Sequence, residues 1–361
     1  FTRASEATRV NQNGIIETVG VNVPRLDYSD GGCPSLLLEP QSTNLFKYSE
    51  DFNDVYWTKS GTSSVSIDTT TAPDGDLTAD TLSNATDVLW NSNALQAQLI
   101  VSSSTTYTVS LYVKSLGSTT FKTAIRNNNN GSFMIVPHTI NSETWTRVTQ
   151  TITTAPTQDR LGILFGGTNG DVAIWGAQLE ELPYPTSYIP ILSTAVQRNQ
   201  PLVSKTGLTN YINSEEGYFY TKMKCNQNTL TGFDYVTALA LSDGTFDNRV
   251  VFFHNLTTAN TLVARYTFNS PIEPVNYTIT NIDITEYHKV LISWKLNEIR
   301  IFCNGFKVYE NLSVGVQPPN TLNQLTFSGG TGQNRFNGEL AELEVGTSAV
   351  SEADGIIKTT L

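Results

Sequence analysis

The chain has 361 residues, enough for two domains of ordinary size, each able to bury a full core. Its 22 basic and 33 acidic residues give a formal net charge of -11, and no Lys/Arg cluster interrupts that acidity. This argues against nucleic-acid binding, which needs local neutralisation of phosphate, and no run approaches the ~20 apolar residues of a membrane-spanning helix. Only 15% of residues are charged, while Thr, Ser, Asn and Gly are abundant; that mix suits strands and tight turns, so an all-β fold is expected.

Residues 1–35 carry apolar residues in pairs, with no sustained period of 2 or 3.6, and read as an extended N-terminal arm. Asn13-Gly14 predicts a type I′ turn joining Thr8–Val10 to Ile15–Thr18. No basic-then-apolar leader opens the chain; it starts at Phe1 rather than Met, so a preceding portion is expected to be missing. From Leu36 to Trp57 an apolar run passes through a polar linker into an alternating stretch that puts Asn44, Phe46 and Tyr48 on one strand face.

From Asn44 to about Tyr188, short strand candidates recur between Gly, Pro, Asn and Ser clusters. They predict a two-sheet sandwich over 36–190, broken by Ala72–Leu82, which could hold one helical turn. Pro183, Pro185 and Pro190 forbid a continued central strand and mark the boundary. Residues 191–214 read as linker and entry strand, and 215–361 as a second sandwich. In it, Asn304-Gly305 predicts a tight hairpin, and Ser351 caps a terminal helix with Asp354 three residues on. Cys33, Cys225 and Cys303 are widely spaced; a Cys225–Cys303 disulfide competes with two buried thiols.

Little in the chain points to catalysis. His138, His254 and His288 are scattered singly and read as ordinary strand residues, without a nucleophile or a zinc-ligand spacing. Two carboxylates flanking a scissile bond would suit glycoside hydrolysis. Period 2 places Glu342 and Glu344 on one face with Leu340 and puts Glu339 on the other, so Glu342 and Glu344 read as a solvated face.

Sugar binding asks for an aromatic platform and a few planar polar groups. Trp145, Trp175 and Trp294 read as core, and Trp57 as an edge cover. Trp90, among polar loop residues with Asn91 and Asn93, is the best candidate for a stacking residue, against a loop anchor as the alternative. A second loop gathers Asp243, Asp247, Asn248 and Arg249, whose oxygens could hold a sugar or a calcium ion, against a solvated turn.

The opening FTRASEATRVNQNGIIETVGVNVPRLDY with LLLEPQSTNLFKYSEDFNDVYWTK resembles the start of many bacteriophage virion proteins of the tail-fibre and head-fibre type. GAQLEELPYPTSYIP resembles the end of the jelly-roll, carbohydrate-binding-module-like domain that follows it in them. HKVLISWKLNEIRIFCNGFKVYE with FNGELAELEV is similar to a concanavalin-like or laminin-G-like sandwich. The resemblance implies a jelly roll followed by a concanavalin-like domain, a homotrimer on the virion exterior, and host-surface glycan and other virion proteins as partners. It implies no required cofactor, but leaves room for a structural calcium held through Asn44, Glu50 or Asp171. The rival readings are a polysaccharide-degrading enzyme and a secreted bacterial carbohydrate-binding module.

Overall fold

The computed structural model describes residues 1–127, 131–228, 236–255, 258–269 and 275–361. Among these the chain is all-β apart from one short helix: 27 strands and the helix Glu352–Thr359. It divides into two compact units, each a two-sheet sandwich. The first holds Ser5–Gly20 and Gln41–Asn199; the second holds Phe1–Ala4, Val21–Pro40 and Gln200–Leu361.

This division corrects the reading of residues 1–35 as an arm. Ala7–Val10 and Ile16–Val19 pair as a hairpin, and buried Ile16 packs with Ala72, Ala79, Trp175 and Tyr188 of the first unit. Ser35–Leu38 instead pairs with Gly338–Gly346, adding an edge to the second unit's sheet, where Arg25 and Glu39 form a buried ion pair at 2.6 Å. Both segments are too short to show a period, and their partners lie far along the chain. The boundary also falls later than expected, because Val196–Arg198 pairs with Ser42–Asn44 in the first unit.

The first unit is built on two five-stranded sheets. The front sheet runs Phe133–Thr139, Thr120–Asn127, Arg160–Gly166, Leu95–Ile100, Thr58–Lys59; the back sheet runs Thr146–Thr153, Thr106–Ser115, Val172–Glu180, Ala79–Ser83, Ser64–Thr70. Alternation drives the sandwich. Val109, Leu111 and Val113 from the back and Phe121, Ile125, Leu161, Ile163 and Phe165 from the front fill the space between. Trp57, expected at an edge, is 0% exposed among Phe46, Phe52 and Phe165.

A bulge at Gly176 (φ 67°) turns Trp175 out of this core. It is buried instead beneath the N-terminal hairpin, with half-buried Trp145 beside it.

The expected strand around Leu45 is only Ser42–Asn44, since Tyr48 takes φ 52° and ends the extended run. No helical turn forms in Ala72–Leu82; its second half is the strand Ala79–Ser83. At the first hairpin only Gly14 has positive φ, and the Asn11 side chain accepts from the Asn13 and Ile15 amides, so the loop is not the two-residue type I′ turn.

The second unit stacks a seven-stranded sheet on a six-stranded one, with Phe219, Leu241, Phe252, Ile292 and Trp294 between them. Asn304 and Gly305 both have positive φ, as the primed turn requires. Ser351 caps the helix by accepting from the Asp354 amide at 3.1 Å, and Gly355 lets the helix lie directly on Phe302. Cys225 and Cys303 are separate buried thiols, and burial pushes Cys303 up to about 12.

The histidines are not all solitary. His254 and His288 come from facing sheets and meet, Nε2 to Nε2, at 2.9 Å in a fully buried site. Burial lowers both, His288 to about 4 from 6.5, so the folded protein holds the pair neutral. As pH falls below 6.5 the unfolded chain takes up protons that the folded one refuses until about 4. Stability is therefore complete above 6.5 and lost towards pH 4, by roughly 3 kcal/mol for His288 alone. Urea unfolding at pH 7.5, 5.5 and 4 should show this loss. His288→Leu should flatten it, and an unchanged pH slope in that variant would refute the account.

Candidate binding face on the first sandwich

The outward face of the front sheet is set by register. Ala124 lies opposite both Ile135 and Leu164, and Gly162 lies opposite both Arg126 and Gln98, so all six point away from the core. A loop folds onto this face. Val88 and Ala94 are buried against Ala124 and Leu164, and Trp90 and Phe133 pack on the same cluster.

The loop is held by its own polar groups. Asp87 accepts from the Val88 amide at 2.7 Å and from Ser92 Oγ at 2.9 Å. Asn91 (φ 59°) exchanges hydrogen bonds with buried Gln96, and Asn93 Oδ1 accepts from the Thr62 amide at 2.9 Å. Asn91 and Asn93, expected to touch ligand, are thus engaged in shaping the loop.

Trp90 is half-buried and lies over Gly162. A Cβ there would sit 2.7 Å from the indole Cζ3, so only glycine lets the ring rest on the strand. The Arg126 guanidinium is held between two aromatic rings, 5.1 Å from the Trp90 centroid and 5.9 Å from that of Phe133. Gln98 and Ile100 are exposed beside them, Ile100 at 84%. The result is an open shelf carrying two partly buried aromatic rings, Trp90 and Phe133, with a planar donor between them and an exposed amide. Arg126, Phe133, Gly162 and Gln98 escaped the sequence reading. The one signal available was a glycine interrupting an otherwise apolar strand, RLGILFG.

The other sequence candidates do not assemble. Asp243 accepts from the Thr245 amide and hydroxyl and from Asn248, Asp247 donates its amide to Thr245, and Arg249 donates to the Gly329 carbonyl at 2.6 Å while stacking on Phe246. These bonds make the loop a self-contained turn beside a cavity of about 340 Å³ lined by Gly244, Gln324 and Arg335.

Asn44, Glu50 and Asp171 do not meet as calcium ligands. Asn44 is 0% exposed and spends its whole side chain on protein: Nδ2 donates to the Ala177 and Ile189 carbonyls, and Oδ1 accepts from the Phe46 and Leu179 amides. Asp171 precedes the strand Val172–Glu180, so it lies ~20 Å from that clasp at 3.3 Å per residue. Glu50 accepts from Tyr188 at 2.6 Å and lines a cavity of about 740 Å³; burial raises its carboxyl above the usual range.

Glu339, Glu342 and Glu344 correct the parity argument. A bulge shifts the pairing between Lys222 and Met223, so all three carboxylates lie opposite Lys224, Lys222 and Tyr220 on the outer face, while Leu340 enters the core. Each is occupied: Glu342 by Tyr220, Glu344 by Tyr218 and Lys358, Glu339 by Ser35, Tyr287 and Lys224. Lys358 and Tyr218 lower the Glu344 carboxyl, the opposite of what a catalytic acid needs. His138 is a strand residue bonded to Thr123 at 3.0 Å.

Among the described residues no helix is long and apolar enough to cross a membrane. Residues 46–170, the span that builds the front sheet and the Trp90 loop, match the family described as "Carbohydrate binding domain". No curated protein matches the chain.

Several solved structures are similar to it. The CBM40 of the Ruminococcus gnavus IT-sialidase, bound to alpha2,3 sialyllactose, is 13% identical with a TM-score of 0.34, over 44% of this chain and 97% of that one. The N-terminal CBM22-1-CBM22-2 tandem domain of Paenibacillus barcinonensis Xyn10C is 11% identical with a TM-score of 0.33, over 86% and 99%. Domains LG4-5 of the mouse laminin alpha1 chain are 11% identical with a TM-score of 0.26, over 69% and 85%.

Proposed function

We propose that the protein is a carbohydrate-binding protein and that its first sandwich takes a glycan on the front sheet. The carrying observation is Trp90 laid on Gly162 beside Arg126, within the span that matches a carbohydrate binding domain. A half-buried indole offers its exposed surface to the apolar face of a pyranose, while Arg126 and Gln98 offer planar donors to ring hydroxyls. An open shelf suits a chain that lies across it. In this reading the protein binds without cleaving. The test is a polysaccharide panel probed with the intact protein and with Trp90→Ala; binding that survives the substitution refutes this site.

The finer reading is attachment to host-surface glycan as an exterior component of a phage particle, in a trimer. It is supported by the resemblance of the opening and of GAQLEELPYPTSYIP to virion proteins. Light scattering of the purified chain together with a search for its peptides in purified particles tests it. A monomer absent from particles would favour the secreted module.

A further inference from the structure

We propose that the glycan taken by the front sheet is acidic, its charge carried by sugar carboxylates. This rests on the sugar-binding reading above and narrows its ligand class.

The chain as a whole is acidic, yet the five strands of the front sheet contain no Asp or Glu. Their outward face carries Lys122, Arg126 and Arg160. Arg126 lies opposite Gly162, under the indole, and Arg160 lies two residues along the same strand. Lys122 lies opposite Gly166, on the other side of the ring. At 3.3 Å per residue the three cations span ~20 Å, with Trp90 between the outer two.

Among the described residues no carboxylate comes within ion-pair distance of Lys122 or Arg160, although such pairs are common on the second sandwich. The nearby acid of the loop, Asp87, has its oxygens engaged by Val88 and Ser92. Like charges gathered on one face without a carboxylate partner repel one another, and an anion laid among them relieves that repulsion. Arginine supplies the fork that grips a carboxylate through two parallel bonds, and a stacked guanidinium is already oriented for it.

The test measures binding of the intact protein to polygalacturonate, to the same polymer after chemical reduction of its carboxyls, and to dextran sulfate. Tight binding to polygalacturonate should weaken roughly tenfold or more on carboxyl reduction and again as salt rises from 0.05 to 0.5 M. Lys122→Gln with Arg160→Gln should cost a comparable factor for the acidic polymer and leave the unfolding midpoint in place. Equal binding of reduced and unreduced polymer overturns the inference but leaves the sugar-binding reading standing. Dextran sulfate bound as tightly as polygalacturonate overturns it in favour of a general polyanion surface. No binding to any polysaccharide, with Trp90→Ala indistinguishable from the parent, overturns both.

Discussion

Replacing Trp90 by alanine should weaken glycan binding by roughly thirtyfold, about 2 kcal/mol, the cost of removing a central aromatic anchor. The indole is already held in place, by Gly162 beneath and Arg126 beside it. Little ordering cost therefore remains to be met on binding. Folding should suffer far less, because the ring is half-buried and sits outside the main core. Isothermal titration against the best polysaccharide of the panel, with thermal unfolding as control, separates the two effects. Trp90→Phe should recover most of the affinity. Gly162→Val tests the same geometry from below: its side chain would lift the indole off the strand, and binding should fall while Trp90 is still present.

Asn44→Ala should destabilise the first sandwich by roughly 3–5 kcal/mol, the largest folding effect expected from a single polar residue here. The side chain closes four hydrogen bonds in a site with no solvent access, and alanine leaves two carbonyls and two amides without that partner. The rest of the clasp depends on the same alignment. Gln178 Oε1 accepts from the Ile189 amide at 2.7 Å, Ser49 is bonded to Tyr188 and Ile191, and buried Glu180 accepts from Ser42, Gln178 and Thr186. For a unit of this size the midpoint of thermal unfolding should drop by roughly 10 °C. A change of a degree or two would mean that neighbouring groups or water replace the lost bonds.

This clasp gives a physical account of two stretches that stand out in the sequence. In QSTNLFKYSE and GAQLEELPYPTSYIP the polar residues Ser42, Asn44, Ser49, Gln178, Glu180 and Thr186 interlock where the chain enters and leaves the sandwich. Together they act as a closing device for the first sandwich.

What the sequence by itself determined rests on local rules. Composition and alternation called for an all-β chain of two sandwiches, Asn304-Gly305 for a primed turn, and Ser351 for a helix cap, because each depends on residues a few positions apart. Trp90 was legible as a tryptophan in a polar loop. What only the tertiary structure decided depends on partners far apart in the chain. The first 35 residues look unpatterned until Leu26 is seen opposite Leu36 and Ile16 against Trp175. Glu339 changes face because a bulge absorbs one residue, which no period-2 count anticipates. The shelf exists only once register places Arg126 and Gln98 on either side of Gly162 and the loop returns to lay an indole over it. Strand pairing across the sheet, and no property of those residues alone, brings them together.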